Sequence, residues 1–185
     1  MRFLPLALLP LSAGLVAAQS SCEVYYQTGT CISTEECAAA NKVSTPNFCP
    51  NDPANVQCCT EPPNPEIPGS NCQPHVVKAG ETILAENKGA VHVVWCYADK
   101  SGEHGKGLAL DFMVGAHNPK GQVLAEWVMN NHKSLNVMYV IWGQKIWNPS
   151  NGEAPTAWEN WRDMEDRGSV TANHWDHPHV SFNAA

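Results

Sequence analysis

Four short segments in the last two thirds of the chain carry the β-branched, aromatic and apolar residues typical of β-strands. They cover residues 90–97, 107–113, 135–142 and 177–182. In the second segment large and small residues alternate, which places Leu108, Leu110 and Phe112 on one face that we expect to be core. The opposite face carries small residues and ends in the carboxylate of Asp111, so there is room for a ligand beside it.

One amphipathic helix is predicted between the second and third strands, with Asn118 as its cap and Pro119 as its first residue. Its periodicity predicts four buried side chains on one face: Val123, Leu124, Trp127 and Val128. Residues 147–167 are polar and loop-like, with one short helix around Trp158. Since strands outnumber helices without regular β–α alternation, we predict an α+β fold with a small, largely antiparallel sheet and flanking helices.

The N-terminal end has a different character. Arg2 precedes an apolar run over residues 3–16, and small residues follow. A membrane anchor is the alternative reading, but this run is shorter than the ~20 residues that span a bilayer, and two prolines interrupt it. We therefore predict that residues 1–18 are a cleaved signal peptide and that the mature protein is secreted to the extracellular space.

Eight cysteines follow the leader, and an even number in an exported chain of this size predicts disulfides. Six lie within residues 19–60, where large aliphatic residues are few, so we predict a disulfide-rich module. They are Cys22, Cys31, Cys37, Cys49, Cys58 and Cys59. A zinc knuckle is the alternative, but this stretch contains no histidine. The pairing stays open, except that the neighbours Cys58 and Cys59 should have different partners. Cys72 and Cys96 are expected to staple the second domain at its first strand.

A proline-rich linker, residues 61–71, separates this module from a second domain, residues 72–185. Lys and Arg number 11 against 18 Asp and Glu, a net charge of −7. So acidic a surface does not suit polyphosphate, which argues against a nucleic-acid partner. We expect the protein to have no membrane partner and to be a monomer.

Candidate metal chemistry lies in two places. His104 sits on a glycine-bracketed turn seven residues before Asp111, and His177 and His179 are two apart near the C-terminus, so on a strand both imidazoles point the same way. Imidazole nitrogens and a carboxylate suit zinc, and three ligands would leave a position open for catalysis. Taken singly, each of these residues would more often be an ordinary exposed or hydrogen-bonded side chain.

The segment HGKGLALD, followed far downstream by DHPH, resembles the zinc signature of the superfamily of lysostaphin, the D-alanyl-D-alanine metallopeptidases and hedgehog. More closely, GEHGKGLALDFM, YVIWGQKIW and DMEDRGSVTANHWDHPHVSF resemble the C-terminal domain of secreted actinobacterial cell-wall proteins and their fungal relatives. The N-terminal module is similar to small cysteine-rich modules on fungal secreted wall hydrolases.

The resemblance implies a role for each site residue. His104, Asp111 and His179 would be zinc ligands. Asp176 would be the general base, and His177 would bind the substrate or the developing oxyanion. The D-alanyl-D-alanine peptidases commonly have a serine two residues before the first ligand and an arginine upstream of it. Here position 102 is a glycine and residues 97–100 contain no arginine, so Lys100 or Arg167 would supply the positive charge.

The tryptophans divide into two groups. Trp127 and Trp142 fall on apolar faces and are expected in the core. Trp147, Trp158 and Trp175 lie in or near polar loops, where their rings could line a groove for glycan. The predicted substrate-binding residues are Trp147 and Trp175, for their rings, and Arg167, for its positive charge.

The leading hypothesis is a secreted zinc hydrolase that cleaves an amide in bacterial peptidoglycan peptides, as a carboxypeptidase or an endopeptidase, with the small module aiding adhesion to the wall. A metal-binding wall protein without turnover is the main alternative. A metal-dependent nuclease is the third, and the acidic surface disfavours it.

Overall fold

The computed structural model of the protein describes residues 19–185. The predicted signal peptide, residues 1–18, lies outside the described residues. No helix within residues 19–185 has the length and apolar character needed to cross a bilayer.

The cysteine-rich module is a four-stranded antiparallel sheet in the order β1-β2-β4-β3, with one helix packed beside it. The strands are β1 (Ser21–Val24), β2 (Gln27–Ser33), β3 (Val43–Thr45) and β4 (Val56–Thr60). Helix α1 (Thr34–Ala39) begins at a capping box in which Ser33 and Glu36 exchange hydrogen bonds. The apolar core of this module is small, so the disulfides supply most of its constraint.

All eight cysteines are paired, and the prediction of disulfides is confirmed. The bonds are Cys22–Cys58, Cys31–Cys49, Cys37–Cys59 and Cys72–Cys96. The adjacent Cys58 and Cys59 have different partners, as expected. A zinc knuckle would need thiolates that these bonds have consumed.

The second domain is built on a six-stranded antiparallel sheet in the order β5-β6-β10-β7-β8-β9. Its strands are β5 (Val93–Trp95), β6 (Ala109–Met113), β7 (Val137–Trp142), β8 (Lys145–Trp147), β9 (Arg162–Asp163) and β10 (His179–Phe182). The four predicted strands are present, each shorter than predicted, and β8 and β9 extend the sheet. The α+β fold with antiparallel sheets is confirmed.

Three helices flank this sheet: α2 (Pro74–Glu86), α3 (Pro119–Asn130) and α4 (His132–Leu135). Helix α3 begins as predicted, with the Asn118 side chain accepting a hydrogen bond from the Lys120 N–H. The prediction that Val123 is buried is wrong, because its side chain is 64% exposed. At about 100° per residue, Val123 lies about 100° from Leu124 and about 140° from Val128, outside the face that they form.

The linker and the module both pack against the second domain. Ile67 of the linker lies against Gly80 of α2, at the edge of the core. His92 of the domain is buried between the Thr45 hydroxyl and the Gln27 amide of the module, at 3.1 and 3.2 Å. The cysteine-rich module is therefore held to the domain by specific polar contacts as well as by its tether.

Candidate metal centre

The pairing of β6 with β10 brings the first two candidate ligands together. His179 lies directly opposite Asp111 in the register, so the two side chains stand on the same face of the sheet. His104 opens a 3-10 turn, His104–Lys106, that leads into β6. Gly107 ends this turn with φ +66°, and a Cβ there would lie 2.1 Å from the Asn71 carbonyl oxygen. Glycine at this position therefore allows His104 to fold back over Asp111.

The three side chains form a compact buried cluster. His104 Nε2 lies 3.0 Å from one oxygen of Asp111, and His179 Nδ1 lies 2.8 Å from the other. The two imidazole nitrogens are 3.2 Å apart. One nitrogen or oxygen atom from each residue falls within 4.8 Å of the others. Two imidazoles and one carboxylate at this spacing fit a zinc ion.

Outer hydrogen bonds determine which ring nitrogens face the centre. The Nδ1 atom of His104 bonds the Cys96 carbonyl oxygen, which leaves Nε2 toward the cluster. The Nε2 atom of His179 lies 2.9 Å from the Ser181 hydroxyl, which leaves Nδ1 toward the cluster. Metal-binding histidines ordinarily have such a partner on the second nitrogen, because it holds the ring and its tautomer in place.

The electrostatics of Asp111 and His179 favour cation binding. Burial alone would raise the pKa of Asp111, but hydrogen bonds from His104 and His179 hold it well below its usual range. Burial lowers the pKa of His179, with Asp111 opposing it only in part. For His104, burial is outweighed by the hydrogen bond and charge of Asp111, so its pKa is raised. An ionised carboxylate and a neutral His179 are the forms that bind a metal.

His177 and Asp176 form a pair beside this cluster. His177 Nε2 lies 3.7 Å from an Asp111 oxygen, and His177 Nδ1 lies 2.6 Å from an Asp176 oxygen. The second Asp176 oxygen accepts a hydrogen bond from the Thr171 hydroxyl at 2.6 Å. Asp176, the predicted general base, therefore has both oxygens hydrogen-bonded and does not line the cavity, so its contact with the site runs through His177.

The cluster opens into a cavity of about 460 Å³. Its other lining residues include Trp95, Tyr139, Arg167 and His174. A cavity of similar size, about 480 Å³, lies between the linker and α2, but its walls are largely prolines, aliphatic residues and asparagines, with Glu81 and Lys88 as the titratable groups. Of the two, the cavity over the histidines is the one that gathers several titratable side chains at one point, which makes it the candidate functional site.

Tyr139 and His174 also lie at this cavity, although neither was predicted from the sequence as a site residue. The ring of Tyr139 stacks on His179 with centroids 5.6 Å apart, and its hydroxyl donates to Glu103 at 3.0 Å. His174 lies with its ring 4.8 Å from that of His177. Burial and the charges of the neighbouring histidines lower the pKa of His174 to about 3, so it is neutral. Only the β7–β10 pairing places Tyr139 here, whereas proximity in sequence could have indicated His174.

The predicted tryptophan subsites are corrected. Trp147 is 1% exposed, and its indole N–H donates to the Ala154 carbonyl, so it belongs to the core. Trp175 and Trp158 meet edge to face, with centroids 5.9 Å apart, and neither lines the cavity. Each indole finds better burial against its neighbours than in a polar loop. Arg167 does line the cavity.

Comparison with known proteins gives a family. A family model described as the VldE C-terminal domain matches residues 68–175, which include His104 and Asp111 and stop before His179. An uncharacterized secreted protein of the fungus Arthroderma benhamiae is 37% identical over 80% of this chain and 71% of its own length. No solved structure matches. The protein is secreted, as predicted. From the extent of the family match, the chain belongs to the VldE C-terminal domain family.

Proposed function

We propose that the protein is a secreted zinc-dependent hydrolase that cleaves an amide bond in the peptides of bacterial peptidoglycan. The observation that carries this proposal is the convergence of His104, Asp111 and His179 on one buried point, with His177 beside them in an open cavity. The likeness of the two histidine motifs to the lysostaphin, D-alanyl-D-alanine peptidase and hedgehog superfamily supplies the class of reaction. A carboxypeptidase and an endopeptidase both fit this site.

The ion would be held by His104 Nε2, His179 Nδ1 and the Asp111 carboxylate. A zinc ion supplies Lewis acidity, which polarises an amide carbonyl and makes water a stronger acid. The ordered outer partners of His104 and His179 keep both rings in place before an ion binds. This preorganisation reduces the entropy lost when the site is occupied.

His177 is the residue best placed to move a proton. Its Nδ1–H donates to Asp176, which leaves the Nε2 lone pair directed at the cavity. Nε2 can accept a proton from water and return it to the leaving amine. Asp176 acts through His177: it orients the ring and stabilises the imidazolium that forms, while Thr171 holds Asp176.

Arg167 supplies positive charge at the cavity wall. Its side chain is exposed at the surface, so it can reach an anionic group of an incoming peptide. A guanidinium can bind a carboxylate with two hydrogen bonds, which suits either a free chain end or an acidic side chain.

The test combines metal analysis with product analysis. Purified mature protein should contain zinc, and muropeptides incubated with it should show a new amino group at one bond by mass spectrometry. His177→Ala should retain zinc and lose turnover by ~10²- to 10⁴-fold. Asp176→Asn should retain zinc, lose less turnover than His177→Ala and shift the acidic limb of the pH profile.

The outcomes separate the candidate functions. Bound zinc without any product from wall material would favour a metal-binding wall protein over an enzyme. Full activity in His177→Ala would remove this residue as the base. Glu165→Gln is the matched control: the residue is exposed, does not line the cavity and should change nothing.

A further inference from the structure

An exposed aromatic residue stands immediately beside the metal centre on the edge of the sheet. Trp95 ends β5, the edge strand, and lies directly opposite Asp111 in the β5–β6 register. Cross-strand partners project from the same face, so the indole and the Asp111 carboxylate share the face that also carries His179. Trp95 lines the cavity, and its side chain is 47% exposed.

This exposure sets Trp95 apart from the other tryptophans of the domain. Trp142, Trp147 and Trp161 are buried, Trp127 packs against the core, and Trp158 and Trp175 pack against each other. An indole gains most from burial, so one left open beside a reactive cavity indicates a surface that a ligand covers.

The surroundings of Trp95 identify the kind of ligand. Apart from Trp95, the large apolar or aromatic residues of the cavity wall are Ile141 and Tyr139; most of the remainder are polar or charged. Lys100, Ser101 and Arg167 are among the hydrogen-bond donors. A pyranose ring has an apolar C–H face and a perimeter of hydroxyl and amide groups. Such a ring would cover the indole and pair with these donors, whereas an apolar peptide side chain would leave them unpaired.

We infer that Trp95 is the stacking platform of a subsite for a pyranose ring of the glycan that carries the peptide substrate. This inference rests on the proposed function for its substrate, and it deepens it. The subsite predicts that the protein recognises a peptide still attached to its sugar. Removing the sugar from the peptide should therefore lower kcat/KM, because the contacts between the sugar and the Trp95 subsite are lost.

The direct test measures binding of a peptide-free sugar. An oligosaccharide of N-acetylglucosamine is titrated into the zinc-loaded protein by calorimetry, and the metal content of each sample is measured. Trp95→Ala should weaken binding about tenfold or more and keep zinc, while Trp95→Phe should retain part of the affinity because a smaller ring still stacks. Tyr26→Ala is the matched control, since it removes an 86% exposed ring from the other module.

The results divide clearly. Unchanged sugar affinity in Trp95→Ala, or an equal loss in Tyr26→Ala, would overturn the subsite. No sugar binding by the wild-type protein would overturn it as well. If Trp95→Ala also loses zinc, the Trp95→Phe variant is used instead. Near-wild-type zinc content with a lower sugar affinity in Trp95→Phe supports the subsite, and an unaltered sugar affinity refutes it.

Hydrolysis gives an independent arm. The wild-type protein should cleave a sugar-linked muropeptide more efficiently than the same peptide freed of its sugar, and Trp95→Ala should lose this preference. Sugar binding without cleavage of any muropeptide would refute the proposed hydrolase and leave the subsite standing. Cleavage with the same preference in both proteins would refute the subsite and leave the hydrolase standing.

Discussion

The disulfide Cys72–Cys96 links the stability of the second domain to the geometry of its metal centre. The carbonyl of Cys96 is the group that bonds His104 Nδ1, so the bridge holds in place the backbone that orients one candidate ligand. Replacing both cysteines by serine removes the bridge and leaves the chain otherwise intact. Two effects should follow, one on folding and one on metal affinity.

The magnitude of the first effect comes from the loop that the bridge closes. Its cysteines are 24 residues apart, and loop-closure entropy for that length gives a loss of about 3.4 kcal/mol in the free energy of unfolding. The second effect follows from the loosened carbonyl. Loss of an outer partner of a metal-binding histidine typically weakens affinity by ~10- to 100-fold.

The module offers a matched control. Cys31–Cys49 closes a loop of 18 residues, which gives a similar loss of about 3.2 kcal/mol. No atom of this bridge belongs to the cluster, so its removal should leave zinc affinity unchanged. Urea unfolding in the presence of a chelator measures the first quantity, and competition with a chromophoric chelator measures the second. Wild-type zinc affinity in the Cys72→Ser/Cys96→Ser protein would refute the role of the bridge in orienting His104.

Two further predictions concern the module interface and helix α3. Burial, with a smaller contribution from Lys120, lowers the pKa of His92 from 6.5 to about 4. As the pH falls, the unfolded chain therefore takes up this proton before the folded protein does. The free energy of unfolding should have its full value above pH 6.5 and should decrease by at most ~3 kcal/mol as the pH approaches 4. Tyr25 and Lys120 are the titratable groups near the ring. The slope should be smaller in His92→Gln than in the wild type when both are unfolded by urea across this range; equal slopes would contradict the assignment. In α3, a Cβ on Gly121 would lie 2.2 Å from the Trp142 ring, so Gly121→Ala should raise strain and cost ~1–3 kcal/mol by urea unfolding. Gly69→Ala, with no heavy atom within 4 Å of the added carbon, is its control and should be neutral; equal stability of the two variants would show that the ring yields freely.

Local patterns determined four strands and helix α3 of the second domain and marked two segments as candidate metal-binding chemistry. The resemblance to the zinc signature then selected His104, Asp111 and His179 as the ligands. Alternation in β6 places Asp111 on the face opposite Leu110, and the structure agrees because period-two alternation depends only on the strand itself. The start of α3 at Asn118 is local in the same way. The buried residues of helix α2 also recur at helical spacing, so this helix, although not predicted above, is encoded locally as well.

Tertiary structure alone decided which side chains surround those ligands. Trp95 and Tyr139 reach the centre through pairing of β5 with β6 and of β7 with β10, between segments far apart in the chain. Trp147, in contrast, is carried into the core, and Asp176 is turned behind His177. No periodicity encodes strand order, because the order reflects how the whole apolar surface is buried at once. The sequence therefore identified residues that could hold an ion, and packing determined which of their atoms meet and which other residues face them.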